Sequence, residues 1–283
     1  IRSIIKRYSP SIIHIRHFIG NEPEIVSTFK AYKIPVVVSL HDLYVLCPTI
    51  QLQDSQGRYC SAICENGEGP CQLSKKWFGN GIPNLKDKRV YEYRERFASQ
   101  LKQADYLITT SKITKQFLLS KIPILSGQNF IIIEHGRNLK RFKLCHIPRR
   151  GQRIRIVFFG ALGRSKGVEI IKHIIYKNKK SNYRFEFHLI GTGLAESKKI
   201  AEYDAVVVHG RYLREELSSK VQQISPAIAM ILSTVPETYC HTLTESWAMG
   251  LPVIATDIGA LGERIRNHGG GWLVDYEDPE ACW

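Results

Sequence analysis

Short apolar runs bounded by turn residues recur along the 283-residue chain, and stretches of helical periodicity separate them. Ser11–Ile15, Pro35–Leu40, Ala104–Ser111 and the run from Phe130 read as strands of a first half. Runs beginning at Arg153, Phe185, Ala205, Ile228, Pro252 and Gly271 read as strands of a second. Pro35–Leu40 is strongly β-branched, as a strand buried on both faces of a parallel sheet should be. Helices are predicted over Ile1–Arg7, Glu22–Tyr32, Asp87–Gln103 (amphipathic and exposed) and Lys112–Ser120, the last capped by Ser111. Strands alternating with helices make βαβ units, so the fold class is α/β, with two Rossmann-like domains. Leu139–Gln152 is basic, contains Pro148 and has no period, which makes 139–152 a linker between domains 1–138 and 153–283.

Chemistry concentrates in Pro236–Asp257, between the apolar runs Ile228–Leu232 and Pro252–Ala255. A strand enters, a helix crosses over and a second strand leaves. Glu237 sits on the entry turn and Glu245 lies eight positions later on the helix. The first N–H groups of that helix lack intrahelical partners and favour a phosphate, and a carboxylate further along can accept ribose hydroxyls. The stretch reads as a nucleotide-diphosphate site, with Thr238, Tyr239 and Thr242 around the helix start. Two glutamates at a helix start are also common capping charges, and spacing alone leaves that alternative open.

The order P-E-T-Y, the second Glu, A-x-G-x-P-V-I-A-T-D, then Gly259-Ala260 with Glu263, resembles the C-terminal signature of retaining glycosyltransferases of family 4. Those enzymes have the two-domain GT-B fold. Further matches are L-H-D at His41-Asp42, A-D-x-x-I-x-x-S ending at Ser111, and the Lys-Gly pair Lys166-Gly167. Gly-Arg-Tyr at 210–212 also matches, and His135-Gly136-Arg137-Asn138 is an altered form of the family's N-G-x-D. The resemblance implies transfer of a sugar from a nucleotide-diphosphate sugar to an acceptor hydroxyl with retention at the anomeric carbon. It implies that Lys166 and the turn after Gly160 hold the diphosphate, that Glu237 holds sugar hydroxyls and Glu245 the ribose, and that Arg211 and Tyr212 flank the base. His41 is expected to face the donor sugar. Ala161 stands where the family has an arginine, and Arg164 is the candidate to supply the lost charge. A front-face mechanism without a protein nucleophile is the default for the family. No D-x-D motif calls for a divalent metal, so no cofactor is required.

A net charge of +14 adds an anionic partner to this picture. A phosphorylated or lipid-linked glycan acceptor and an anionic membrane surface both fit, whereas no zinc-finger or RNP-type motif supports nucleic acid. No apolar run reaches the ~18 residues that span a bilayer and no signal peptide opens the chain. A cytoplasmic protein, peripheral on the inner face of the plasma membrane, is expected. The first domain lacks the family's opening strands and Gly-rich loop, so the N-terminal domain is expected to be incomplete and the chain part of a longer polypeptide. The loop 43–83 carries Cys47, Cys60, Cys64 and Cys71, which leaves a structural zinc, a labile disulfide and buried thiols open. A non-catalytic nucleotide-sugar-binding or scaffold domain is the rival to an enzyme, because of Ala161.

Overall fold

A computed structural model describes residues 1–54, 57–64, 88–139, 147–192, 200 and 202–282. The chain forms two compact units, Ile1–His135 and Gly136–Trp283. Each is a parallel sheet covered by helices, as the alternating pattern requires.

In the first unit, four parallel strands lie in the order β1 (Ile13–Ile15), β2 (Val36–Leu40), β3 (Tyr106–Thr109) and β4 (Phe130–Ile132). Val36, Val38 and Leu40 of β2 are buried, and Val37 and Ser39 on its other face are half-covered. The helices are α1 (Arg2–Tyr8), α2 (Ile25–Lys30), α3 (Lys88–Leu101) and α4 (Lys112–Lys121). Helix α3 has a deeper inner face than an exposed helix would. Val90, Arg94, Phe97, Ala98 and Leu101 recur at intervals of three and four and are all buried. Arg94 donates to the carbonyls of Leu46 and Ala62 and to Cys64 Sγ, which anchors the loop that follows β2. The expected strand and turn over 104–111 are β3 to Thr109 and then Ser111, which leaves the sheet to cap α4, accepting a bond from the Thr114 amide.

The second unit has six parallel strands in the order β10-β9-β8-β5-β6-β7. They are β5 (Ile154–Phe159), β6 (Phe185–Ile190), β7 (Val206–Val208), β8 (Ile228–Ile231), β9 (Val253–Thr256) and β10 (Gly271–Val274). The strands span fewer residues than the apolar runs suggest but follow each of them. Alternation on β5 feeds both faces of the sheet. Ile156 and Phe158 pack with Ile170, Ile171, Ile174 and Ile175 of α5 (Val168–Lys180). Val157 packs with Leu217, Val221 and Ile224 of α6 (Leu217–Ile224), and with residues of α7 (His241–Ala248) and α8 (Gly259–His268). The chain runs outward from β5 to β7, then returns to lay β8 on the opposite side of β5. That reversal opens a crevice between the carboxyl ends of β5 and β8, where ligands of open α/β sheets bind.

Candidate functional site

Two loops meet at this reversal. The turn after β5 closes at Gly167, whose φ is +72° and where an added Cβ would stand 1.9 Å from the Leu232 carbonyl oxygen. Only glycine lets the Arg164–Lys166 turn lie against the end of β8. The Thr234 amide then donates to Ser165 O at 3.0 Å and the Thr234 hydroxyl to Arg164 O at 2.9 Å. With the loops joined, Lys166 Nζ reaches Glu237 Oε1 at 2.6 Å, and the Ser233 hydroxyl donates to the same oxygen at 2.5 Å. Gly259 supports Glu237 from behind. An added Cβ there would lie 2.8 Å from Glu237 O, which instead accepts from the Ala260 amide at 2.8 Å. Burial favours the neutral form of Glu237, but the charge of Lys166 and the bonds from Lys166 and Ser233 outweigh it and hold the carboxyl below its usual value. Burial likewise pulls Lys166 down, and Glu237 more than restores it, so the ammonium titrates above its ordinary value.

Helix α7 begins beside this pair. Its N-cap, Cys240, is left-handed at φ 71°, and burial pushes its thiol up to about 12. Gly160, at the end of β5, leaves Thr242 Cγ2 3.7 Å from where its own Cβ would be, so the first turn of α7 sits over the end of β5. Arg137 Nε donates to His241 Nδ1 at 3.0 Å at the first position of the helix. One turn further, Glu245 is only 6% exposed. It lines a cavity of about 310 Å³ together with Asn138, Leu139, Arg214, Leu217 and Met249. Burial raises the Glu245 carboxyl above its usual value, against the pull of Arg137, Arg214 and a hydrogen bond from Tyr212. Tyr212 is pushed up to about 12, chiefly by burial. The arrangement combines a paired lysine and carboxylate, a helix start and a cavity walled by Arg214 and the carboxylates of Glu215 and Glu245.

The description "Glycosyltransferase Family 4" matches residues 1–141, and "Glycosyl transferases group 1" matches residues 153–282. The chain belongs to the group 1 glycosyltransferases, with the GT-B fold. Sucrose-phosphate synthase from Thermosynechococcus elongatus superposes with a TM-score of 0.65 at 17% identity, over 99% of this chain and 64% of that one. The lipopolysaccharide outer core galactosyltransferase WaaB gives 0.62 at 14%, over 98% and 65%. The pneumococcal O-GlcNAc transferase GtfA, solved with UDP and GlcNAc, gives 0.60 at 16%, over 97% and 48%. An uncharacterised 41.2 kDa protein of the cps region of Klebsiella pneumoniae is 27% identical over 210 residues, which is 72% of this chain and 54% of that protein. The chain therefore spans less than two thirds of these relatives.

The residues expected from the group 1 signature fall into three sets. Lys166, Glu237, Gly160 and Thr242 converge at the reversal, and Glu245 and Tyr212 meet at the cavity wall. Arg164 and Arg211 have exposed side chains, and Arg211 makes no described side-chain contact. The Tyr239 side chain is turned inward. It is 5% exposed, with Arg264 Cζ 4.0 Å from its ring centroid, so it supports the loop rather than facing a ligand. Thr238 is half-buried on the same loop.

His41 follows β2 in the first unit, where its neighbour Asp42 binds His17, the residue two past the end of β1. His17 Nδ1 accepts from the Ile19 amide at 2.7 Å, which places the proton on Nε2, and Nε2 donates to Asp42 Oδ2 at 2.6 Å. His41 Nε2 is 3.8 Å from the same oxygen. Burial lowers the His41 pKa against the pull of Asp42. Among the described residues, His17, His41 and Asp42 are the one set of three or more His, Cys, Asp or Glu whose ligand atoms lie within 4.8 Å of one another. They do not suit a metal, because the lone pair a metal would need on His17 Nε2 is replaced by a proton. Of the four candidate zinc cysteines, Cys71 lies outside the described residues, while Cys47 and Cys64 are buried and Cys60 half-buried. No helix among the described residues is long and apolar enough to cross a membrane.

Sequence reasoning missed Ser233, His17, His241 and Arg264. For Arg264 a signal existed: it falls on the apolar stripe Leu261, Arg264, Ile265 of α8, where a charged residue has no ordinary place.

Proposed function

We propose that this chain transfers a sugar from a nucleoside-diphosphate sugar to an acceptor hydroxyl, with retention at the anomeric carbon. The observation that carries the reading is the Lys166–Glu237 pair at the sheet reversal, 2.6 Å apart and beside the start of α7. As the bond from the anomeric carbon to phosphate breaks, its electron pair goes to the diphosphate and positive charge develops on the sugar. Lys166 and the first amides of α7 stabilise the departing anion. Glu237, held ionised by Lys166 and Ser233, accepts sugar hydroxyls and faces the developing cation. The acceptor hydroxyl adds to the same face, and its proton leaves with the diphosphate. We also propose His41, past the end of β2, as a catalytic residue carried by the first unit. The cavity of about 310 Å³ is at the small end for ligand sites and suits a nucleoside, with Glu245 on the ribose hydroxyls.

The acceptor we propose is a lipid-linked bacterial surface glycan at the cytoplasmic face of the membrane. The +14 charge and the relative in a Klebsiella cps region support it. A second reading, a nucleotide-sugar-binding domain without turnover, draws on Ala161 in place of the family arginine. Release of nucleoside diphosphate from a donor sugar in the presence of an acceptor decides between the two.

The first test is calorimetric titration of UDP, GDP, ADP and dTDP into the protein and into Glu245→Ala. One nucleotide binding, and weakening by roughly tenfold or more in the variant through loss of charge-assisted hydrogen bonds, is the expected result. Absence of binding by all four, or binding indifferent to Glu245, overturns the reading.

A further inference from the structure

Arg264 is a guanidinium buried to 5% exposure, and no carboxylate among the described residues pairs with it. Its acceptors are all neutral. Nη1 donates to Tyr239 O and Cys240 O, both at 3.0 Å, and Nη2 donates to the Tyr239 and Thr244 hydroxyls at 3.2 and 3.0 Å. Nε is buried and finds no partner. The guanidinium also lies 4.0 Å from the Tyr239 ring centroid and 5.2 Å from that of Trp247. A cation taken out of water without a counter-ion is costly, so such a charge calls for an anion supplied from elsewhere.

The carbonyls it holds show where that anion belongs. Every peptide bond here is trans, so the amides of Cys240 and His241 point away from Arg264 when the carbonyls of Tyr239 and Cys240 point toward it. Cys240 is left-handed and His241 helical. Successive left- and right-handed residues gather their N–H groups into an anion-binding concavity. Arg264 thus fixes the backbone that opens α7 and adds its own positive charge behind it.

We infer that Arg264 is a positioning residue for the donor's diphosphate, orienting the Cys240 and His241 amides and supplying a buried positive charge that the bound diphosphate compensates. This rests on the proposed donor site. It sets Arg264 apart from Arg94, which also binds carbonyls but does so behind a loop after β2, away from any helix start.

The test compares a nucleoside diphosphate with its nucleoside. For whichever of UDP, GDP, ADP and dTDP binds, Arg264→Met should weaken the diphosphate about tenfold, the scale of a near unit charge acting on a doubly charged group, while the nucleoside changes less than threefold. Equal losses for both ligands, or none, would overturn the inference and leave Arg264 a packing residue. If Arg264→Met does not fold, Arg264→Lys keeps the charge. It should retain the preference for diphosphate over nucleoside, and loss of that preference in the folded protein counts against the charge. Inorganic pyrophosphate separates this inference from the nucleotide reading. It should raise the Tm of the wild type but not of Arg264→Met even if no nucleotide binds, and no rise in the wild type refutes the inference.

Discussion

The two units are built from the same parts and end differently. In the first, β1 to β4 follow one another across the sheet in a single direction, with no reversal among the described strands. The groups past its strand ends satisfy one another: the Ile19 amide bonds His17, His17 bonds Asp42, and Asp42 also accepts from the Tyr44 amide. In the second unit the order reverses between β5 and β8, and the cations beside that reversal are met unequally. Lys166 has Glu237, but Arg264 has no described carboxylate, and Arg137 donates to a histidine at the head of a helix. The lesson is that sheet topology decides where a charge can be left for a ligand. A crevice needs a reversal, and the buried cation with no described carboxylate, Arg264, is found beside it.

The largest effect that sharpens this contrast is expected at Glu237. Glu237→Gln keeps the shape but removes the anion proposed to face the developing cation. Sugar transfer, read as nucleoside-diphosphate release, should fall about 10²–10³-fold, as when a comparable electrostatic group is removed elsewhere. Nucleotide affinity, which the proposal places at Glu245, should stay within about threefold if Glu237 stabilises only charge that develops in the reaction. An equal loss of binding and turnover would remove the division of labour within the second unit. The pair also predicts the pH window of its own contribution. With Glu237 lowered and Lys166 raised, the contribution is present between the ordinary carboxylate and lysine values. It fades as pH falls through the lowered Glu237 value or climbs through the raised Lys166 value.

Next in size is Gly167→Ala. The residue has φ +72° and its Cβ would lie 1.9 Å from Leu232 O, so unfolding stability should drop by about 2–4 kcal/mol. Gly163 begins the same turn with open space around it and extended backbone, and Gly163→Ala should change stability by less than about 0.5 kcal/mol. Denaturant titration of the two variants checks this. Similar costs would mean that the close approach of the loops is not what joins the site.

The placement of Glu237, Glu245 and Lys166 in the second unit was legible because it is local in sequence. Glu237, the start of α7 and Glu245 lie on one strand–turn–helix stretch, and Lys166-Gly167 lies on one turn, so spacing fixes their local positions while the resemblance to family 4 supplies their expected roles. The His17–Asp42 bond was not legible, because it joins the ends of neighbouring strands 25 residues apart and nothing in either segment announces the other. Arg264 was hidden for a related reason: its partners are backbone carbonyls and a tyrosine face 20 to 25 residues away, and these leave no residue pattern. Inward burial of Tyr239 follows from that same guanidinium, which P-E-T-Y cannot show. The strands were readable as apolar runs, but their ends were set by caps such as Ser111.

A smaller effect tests whether the first unit's network acts in transfer. His17→Phe removes the donor to Asp42 Oδ2 and frees that oxygen for His41. Nucleoside-diphosphate release should slow by about tenfold, with a pH dependence moved upward because a less engaged Asp42 favours protonated His41. Nucleotide affinity, which we assign to the second unit, should not move. A change in affinity with no change in the pH profile would mean that His17 matters only to folding.

The smallest effect concerns stability in the second unit, where a histidine pair resembles the first unit's cluster but lies inside the sheet. His188 is 6% exposed on β6, with Nε2 2.7 Å from Glu186 Oε1 and Nδ1 2.9 Å from His209 Nε2. Both nitrogens of His188 are engaged, so one proton between the rings suffices and a second has no acceptor. Burial lowers the pKa of His188 against Glu186, and burial, His188 and Lys220 lower that of His209, while Arg155 faces Glu186 from β5. A histidine whose folded pKa is depressed gives its full contribution above the ordinary value of about 6.5, and that contribution is lost as pH falls through the folded value. The second unit should therefore lose stability as pH falls below about 6.5, and His188→Phe should flatten that loss. Denaturant unfolding of wild type and variant at pH 7.5 and 5.5 measures the difference. An acid limb unchanged by the substitution would assign it to the first unit's His41, whose pKa burial also lowers, and the contrast between a sealed first unit and a charged second one would then reverse for protons.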